Sequence, residues 1–323
     1  MRLARLFQVI TLILLLVVVG ALGLWLWAGA SWLWVGLALG LAMLHVPLMA
    51  VEFGLLRWIN RADTAPAATP AETLRAWAGE AIGAFRVFGW QQPWRWRRFD
   101  DHLPADAMGR RGLILVHGFV CNRGLWNPWW PRLIEAGVPC IAVNLEPVFG
   151  SIDRYPPLIE AAVQRMTQAT GRPPLLVAHS MGGIALRAWL RDFDADDRVH
   201  RVITVGSPHH GTWLGRFGYA PNAQQMRWHS RWLLALAATE PASRYRRFTC
   251  FWGHCDNIVF PASTATLPGA DNRHLRGHAH VHLLKHPQVL ATVLQRLTED
   301  DAGVQPAANS RSPGSTAPAS ISA

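Results

Sequence analysis

The first 51 residues contain two apolar runs that are separated by a break of three residues. One run extends from Phe7 to Ala28 and the other from Trp32 to Val51, and four tryptophans cluster around the break. About 20 apolar residues suffice to cross a bilayer as a helix, and Trp is enriched at membrane interfaces. The pattern therefore predicts two transmembrane helices, which form a membrane-anchoring helical hairpin over residues 1–60.

Arginines flank this hairpin on both sides, with Arg2 and Arg5 before it and Arg57 and Arg61 after it. Cytoplasmic loops carry an excess of Lys and Arg, so both ends of the hairpin are expected in the cytoplasm. Two alternatives stay open. One is a signal peptide cleaved after Ala28-Gly-Ala30, and the other is a single uncleaved anchor that leaves the following domain outside, in the periplasm.

Residues 61–109 connect the hairpin to the remainder of the chain. The stretch from Asp63 to Ala71 is rich in Pro, Ala and Thr and is typical of a linker. Glu72 to Gly89 has helical spacing, with its large apolar residues near one face, and the favoured interpretation is a helix packed on the following domain. A helix lying on the membrane surface is the alternative. Trp94 to Phe99 alternates as an edge strand does.

From residue 110 to 298 short apolar runs alternate with segments of helical periodicity. The predicted strands are Leu113–Val116, Ile141–Val143, Leu175–Val177, Val202–Val205 and Thr249–Trp252. The predicted helices between them are Trp129–Ala136, Leu158–Thr170 and Ile184–Arg191. Such alternation predicts an α/β domain, with a mostly parallel sheet covered by helices on both faces. Its ligand site is expected beyond the carboxyl ends of the strands.

Two segments depart from this alternation. Residues 213–247 are rich in Arg and Trp and predict a cap-like insertion, with a helix near Ser230–Ala238. Residues 299–323 are rich in Ala, Ser and Pro and predict a disordered tail.

Composition and charge point to a membrane rather than to nucleic acid. Half of the residues are hydrophobic, 17 are Trp, and the formal net charge is +10. No nucleic-acid-binding motif is present, so the basic surface beside an apolar anchor predicts contact with anionic lipid head groups. The four cysteines have neither CxxC nor metal-ligand spacing and are expected to be reduced thiols, although export would allow a Cys250–Cys255 bridge.

The sharpest chemical signal is the run Leu175-Leu-Val-Ala-His-Ser-Met-Gly-Gly183, which passes from a buried strand into a helix. Ser180 stands at the turn, with the tiny residues Ala178 and Gly182 two positions away on either side. A turn this sharp strains the backbone and closes only between small side chains. The pattern predicts a nucleophile elbow that presents the Ser180 hydroxyl at the edge of the sheet.

A serine nucleophile needs donors for the oxyanion, a base and an acid that orients the base. Two backbone N–H groups are predicted as the oxyanion donors. One is that of Phe119, in the turn Leu115-Val-His-Gly-Phe119, and the other is that of Met181, at the start of the helix after Ser180. His117 precedes Ser180 and is interpreted as a structural residue of that turn. Asp256, just past a buried strand, is the favoured acid, and Asp271 and Asp153 are its rivals.

Three histidines in alternation, at 278, 280 and 282, are candidates for the base. His280 is favoured because a small residue precedes it and apolar leucines follow it, and His278 and His282 remain alternatives. No matching Cys or carboxylate set accompanies them, so neither a metal nor a cofactor is predicted.

Several motifs, taken in their order along the chain, resemble the α/β-hydrolase superfamily. They are His-Gly-Phe, Ala-His-Ser-Met-Gly-Gly, Gly206-Ser-Pro-His-His-Gly-Thr212 and the segments around Asp256 and His280. They are most similar to the superfamily's bacterial triacylglycerol lipase and esterase branch, over about residues 110–298. The resemblance implies an α/β-hydrolase fold and an oxyanion hole at Phe119 and Met181. The hydrophobic hairpin is not part of the soluble lipases, and it is the apolar hairpin that predicts a location at the bacterial inner membrane. The resemblance also implies that Gly206–Thr212 lies near the site without being part of the triad, and no calcium site carries over.

These observations lead to one functional hypothesis and two alternatives. The hypothesis is a membrane-anchored serine hydrolase that cleaves carboxylic esters of lipid or fatty-acyl type, with Trp213, Trp228 and Trp232 at the pocket entrance. A thioesterase or acyltransferase would use the same triad. A non-catalytic membrane scaffold with a hydrolase fold is the third interpretation, and an intact Ser-acid-His order argues against it.

Overall fold

The computed structural model describes residues 1–299, so the predicted tail lies outside the described residues apart from Glu299. The helices before the sheet are α1 (Arg2–Ala28), α2 (Trp32–Ala42), α3 (His45–Ile59), α4 (Pro70–Ala84) and the short α5 (Gln92–Trp94). The strands are β1 (Leu113–Val116), β2 (Cys140–Val143), β3 (Leu175–His179), β4 (Arg201–Val205), β5 (Phe248–Trp252) and β6 (Asp271–His274). The remaining helices are α6 (Trp130–Glu135), α7 (Pro156–Thr170), α8 (Met181–Asp192), α9 (Pro221–Gln225), α10 (Arg231–Ala238) and α11 (Pro287–Thr298).

The six strands form one parallel sheet in the order β2-β1-β3-β4-β5-β6, which confirms the predicted α/β architecture. Strands β1, β2 and β3 are buried along their whole length, as expected for a parallel sheet with both faces covered. Two clusters of buried apolar residues lie on the two faces, one beneath α7 and α8 and the other beneath α6 and α11. Because β3 is central, the residue that follows it stands at the middle of the carboxyl edge.

β6 was not predicted. Its sequence is Asp-Asn-Arg-His, which contains no apolar residue. The strand pairs with β5 at the edge of the sheet, where its side chains are exposed or half-buried. An edge strand without an apolar face gives no alternating hydrophobic signal.

The prediction of a strand at Trp94–Phe99 is wrong. This segment ends α5 and continues as a turn. Its alternation comes from two Arg–aromatic contacts, since the guanidinium of Arg97 lies over Trp96 and that of Arg98 over Phe99. Such cation–π pairs stabilise an irregular surface segment and reproduce the pattern of a strand.

The first apolar run forms a helix, whereas the second is divided. α1 is long and apolar enough to cross a membrane, either as an anchor or as a signal sequence. α2 and α3 pass the same test only as a pair, and the pair is bent by 48° at a short break. Only α1 therefore passes this test as a single helix, and the second predicted transmembrane helix does not, because the chain breaks at Met43 and Leu44.

The start of α1 contacts the connecting segment, and the end of α3 contacts the α/β domain. Near the start of α1, Gln8 donates a hydrogen bond to the carbonyl of Pro93 at 2.7 Å, and Phe7 packs edge-on against Phe88. Near the end of α3, Phe53 and Leu56 are buried against the loops that follow β5. The tryptophans around the break between α1 and α2 are exposed at the far end of the hairpin.

α4 packs on the domain through a different face from the one predicted. Thr69 and Glu72 form a capping box at its start. The buried residues are small or charged, namely Ala76, Glu80, Gly83 and Ala84, whereas Leu74 is 64 % exposed. The small side chains let the helix approach closely, and a Cβ at Gly79 would lie 2.8 Å from the ring of His282.

The insertion between β4 and β5 contains α9 and α10 and is tied to α8 by a buried ion pair. Arg187 Nε lies 3.0 Å from Glu240 Oε1, both side chains are fully buried, and the same guanidinium donates to the carbonyl of His209.

The four cysteines are buried and free, so Cys250 and Cys255 do not form a bridge.

Candidate active site

Ser180 occupies the turn between β3 and α8 in a strained backbone conformation, with φ 55° and ψ −130°. A non-glycine residue at positive φ costs of order 1–3 kcal/mol and persists only where its surroundings enforce it. Close packing does so here, since a Cβ added to Gly182 would lie 2.7 Å from the carbonyl oxygens of Val116 and His117. A Cβ at Gly118 would lie 2.7 Å from the Cβ of Ser180. The small residues around Ser180 are therefore a geometric requirement of the turn.

Asp256 and His280 form a buried pair. Nδ1 of His280 lies 2.9 Å from both carboxylate oxygens of Asp256. Oδ1 of Asp256 also accepts hydrogen bonds from the backbone N–H groups of Ile258 and Val259, at 3.0 and 2.9 Å. The loop after β5 thus aims the carboxylate at the imidazole, and the two residues meet although 24 positions separate them.

Burial alone would lower the pKa of His280, but the adjacent Asp256 carboxylate outweighs it and, with Glu80 and Glu52, raises the pKa above its ordinary value. An imidazole held in this way readily accepts a proton, because the resulting positive charge is stabilised by the carboxylate.

Ser180 and His280 line the same cavity, and the ring of His280 lies 4.6 Å, centroid to centroid, from that of His179, the residue before Ser180. Gly206, at the end of β4, makes this approach possible. It has φ 57°, and a Cβ there would lie 2.9 Å from Oδ2 of Asp256 and 3.2 Å from Nδ1 of His280. Gly206 opens the Gly-Ser-Pro-His-His-Gly-Thr segment, so this motif leaves room for the Asp256–His280 pair.

The other candidates for acid and base lie elsewhere. His278 Nδ1 is 2.7 Å from the carbonyl of Arg276, and the ring of His282 lies against Gly79 of α4. Asp271 is on β6, paired with arginines, and Asp153 accepts hydrogen bonds from Arg191 and Trp232. None of these four side chains lines the cavity that contains Ser180.

The two predicted oxyanion donors flank Ser180. Met181 is the first residue of α8, where backbone N–H groups have no partner within the helix. Phe119 lines the cavity beside Val120, which has φ 52°. The positive end of the α8 dipole favours negative charge at this point.

His117 holds the turn that carries Phe119. Its Nε2 accepts a hydrogen bond from the N–H of Leu145 at 3.0 Å, and its Nδ1 lies 2.9 Å from the carbonyl of Gly118. Complete burial lowers the pKa of His117 to about 4, so the ring is neutral and donates from Nδ1. This geometry matches the structural role that its place in the sequence suggests.

The cavity at Ser180 has a volume of about 340 Å³, within the range of small-molecule sites. Its wall includes Leu214, Ala223 and Met226 from the insertion, and Met49 and Glu52 from α3. The tryptophans predicted at its entrance do not line it. Trp213 packs on Phe260, Trp232 donates a hydrogen bond to Asp153, and the ring of Trp228 lies tilted against that of His229.

The sequence-based interpretation missed three polar residues around His280. Glu52 of α3 and Glu80 of α4 line the cavity, and Asn257 lies between Glu52 and His280. For Glu52 the sequence did contain a signal. Glu52 is the one acidic residue among residues 1–60, and an acidic residue within an apolar segment usually has a function. Among residues 1–299 no group of three or more His, Cys, Asp or Glu is placed to hold a metal ion.

Residues 113–223 match the family model described as the alpha/beta hydrolase fold. The chain has the α/β-hydrolase fold. Among solved structures it is similar to the mature form of Bacillus licheniformis lipase BlEst2, with a TM-score of 0.54 and 19% identity over 61% of this chain and 96% of that one. It is also similar to Aspergillus fumigatus lipase B, with a TM-score of 0.54 and 18% identity over 63% of this chain and 57% of that one. At these identities the likeness is one of fold.

Proposed function

We propose that the protein is a membrane-anchored serine hydrolase that cleaves carboxylic esters of lipid or fatty-acyl type. The observation that carries the proposal is the buried Asp256–His280 pair, which faces the same apolar cavity as Ser180 on its strained turn. A hydrolase fold alone hosts many functions. A nucleophile and a base that line one cavity, with a buried acid behind the base, support acyl transfer in particular.

In the proposed reaction the Ser180 hydroxyl attacks the ester carbonyl, and Nε2 of His280 takes its proton. The Asp256 carboxylate holds Nδ1–H and stabilises the imidazolium. The N–H groups of Phe119 and Met181 bind the oxyanion, and His280 then protonates the departing alcohol. Water, deprotonated by His280, cleaves the acyl-enzyme and releases the acid.

Two features support an apolar substrate taken from a membrane. The cavity wall includes Met49 of α3, which belongs to the apolar segment that follows α1. α1 itself is long and apolar enough to cross a bilayer. The flanking arginines support placing the hydrolase domain at the cytoplasmic face of the inner membrane, against anionic lipid.

The test compares the purified protein with Ser180→Ala on nitrophenyl esters of increasing acyl length in detergent. Ser243→Ala, at an exposed serine, is the matched control. We expect activity that rises with acyl length, vanishes in Ser180→Ala and persists in the control. A maximum at short chains would overturn the lipid substrate, and equal activity in wild type and Ser180→Ala would overturn the serine hydrolase itself.

A further inference from the structure

Two acidic residues from the N-terminal segment reach the loop that carries the candidate base. Glu52 is on α3 and Glu80 is on α4, and both precede the hydrolase sheet in the chain. Their side chains line the cavity that contains Ser180 and His280. Carboxylates rarely enter an apolar cavity without partners, because burying a charge is costly. Their hydrogen bonds identify what they do there.

Glu80 binds the backbone directly after His280. Its Oε1 accepts from the N–H of Val281 at 2.9 Å, and its Oε2 accepts from the N–H of His282 at 3.0 Å. These donors stand at the start of the 3-10 turn His282–Lys285, where N–H groups lack partners within the turn. Glu80 is only 2 % exposed. One side chain of α4 therefore fixes both peptide groups that follow the base.

Glu52 acts through Asn257. Its Oε2 accepts from Nδ2 of Asn257 at 2.6 Å, and Oδ1 of Asn257 accepts from the N–H of His280 at 3.3 Å. A carboxylate accepts but does not donate, so Glu52 fixes which end of the Asn257 amide faces it. The amide oxygen is thereby directed at the backbone of His280. Asn257 also follows Asp256 in the chain, so this bond joins the acid's loop to the base's loop.

We propose that Glu52 and Glu80 are positioning residues for the base, so that α3 and α4 complete the active site. This inference rests on the proposed function of Ser180, Asp256 and His280. Glu80 holds the loop after His280 in place, and Glu52 holds the loop before it through Asn257. Both carboxylates also add negative charge next to the imidazole.

The charge has a measurable consequence. The groups that face His280 are Asp256 from the loop after β5, Glu80 from α4, Glu52 from α3 and His179 from the end of β3. Burial raises the pKa of Glu80 to about 6 despite its two N–H donors, and burial keeps His179 neutral by lowering its pKa. Glu80 is therefore ionised above about pH 6, where it helps to raise the pKa of His280. Neutralising either glutamate must lower that pKa.

The experiment measures kcat and KM against pH for the full-length wild type, Glu80→Gln, Glu80→Asp and Glu52→Gln, with a nitrophenyl ester in detergent. Rates are normalised to the sites that a fluorophosphonate labels. For Glu80→Gln we expect kcat to fall about tenfold to hundredfold with little change in KM, since misplacing a catalytic group by about 1 Å costs up to roughly that much. The acidic limb of kcat/KM should move to lower pH in both glutamine variants.

Glu80→Asp keeps the charge but is one methylene too short to reach both N–H groups. It should lower kcat while leaving the acidic limb near its wild-type position. Glu72→Gln is the matched control on the same helix, because Glu72 caps α4 and bonds Arg276 without lining the cavity. It should lower the melting temperature without moving the limb.

The inference would be overturned if Glu80→Gln and Glu52→Gln both kept the wild-type kcat per labelled site and the wild-type position of the acidic limb of kcat/KM. If Glu80→Gln does not fold, Glu52→Gln and Glu80→Asp decide the question. Failure of the proposed function is a different result, because the wild type would then neither hydrolyse esters nor react with the fluorophosphonate.

Discussion

Replacing Asp256 by Asn tests the acid–base pair most sharply, because the structure dictates how the new side chain would sit. Oδ1 of Asp256 accepts from the N–H groups of Ile258 and Val259, so the carbonyl oxygen of an asparagine would take that position. Its NH₂ group would then lie at the Oδ2 position, 2.9 Å from Nδ1 of His280. An NH₂ donates, so the imidazole would carry its proton on Nε2 and could not accept one from Ser180.

The magnitude follows from the lost charge. Unit charges 2.9 Å apart attract by on the order of 5 kcal/mol at an effective dielectric constant of about 20. This attraction develops as His280 becomes an imidazolium, so it stabilises the transition state more than the ground state. A loss of that size corresponds to roughly 10⁴ in kcat, which agrees with the loss typical of Ser-His-Asp triads.

The assay is nitrophenyl ester hydrolysis by folded protein, with folding checked by circular dichroism. Asp271→Asn is the control, because Asp271 lies on β6 at the edge of the sheet and pairs with Arg273 and Arg296. We expect Asp271→Asn to retain activity and Asp256→Asn to lose about four orders of magnitude. Activity of Asp256→Asn within tenfold of the wild type would refute the assignment of Asp256 as the residue that orients the base.

Three further predictions concern the turn, the pH profile and the insertion. Gly182→Ala would place a Cβ 2.7 Å from two backbone oxygens, so kcat should fall by about 10² as Ser180 is displaced; unchanged turnover would show that the turn tolerates a side chain. The acidic limb of kcat/KM should lie above pH 6.5, because His280 must be neutral to act and its pKa is raised from 6.5; a limb well below that pH would contradict the geometry. Glu240→Gln removes the carboxylate that pairs with the buried Arg187, so the free energy of unfolding should fall by about 3–5 kcal/mol. Urea denaturation measures this change, and a loss below about 1 kcal/mol would mean that the ion pair contributes little to stability.

Features with a local cause could be predicted from the sequence. β1 to β5 are short apolar runs that a buried parallel sheet requires. The turn at Ser180 needs small neighbours, and the residues at 178 and 182 meet that need visibly in the chain. The favoured acid and base lie in segments whose composition suits a loop after a strand and a turn before a helix, and the structure brings them together.

Features that depend on distant parts of the chain could not be predicted in this way. β6 has no apolar face because it lies at the sheet edge. α4 buries its small residues and Glu80 because it lies against the His280 loop, about 200 residues later. The contact of Glu52 with Asn257 likewise joins residues 205 apart. The break within the second apolar run and the Arg–aromatic contacts of residues 94–99 show how composition can imitate a regular element.

The central claim is that Ser180 is an activated nucleophile, and fluorophosphonate labelling of the purified full-length protein tests it most directly. Intact-mass spectrometry should show one covalent adduct, and peptide mapping should place it on Ser180. Labelling should be abolished in Ser180→Ala and greatly slowed in Asp256→Asn. Absence of an adduct on folded wild-type protein, or an adduct on another serine with Ser180→Ala still labelled, would contradict the account.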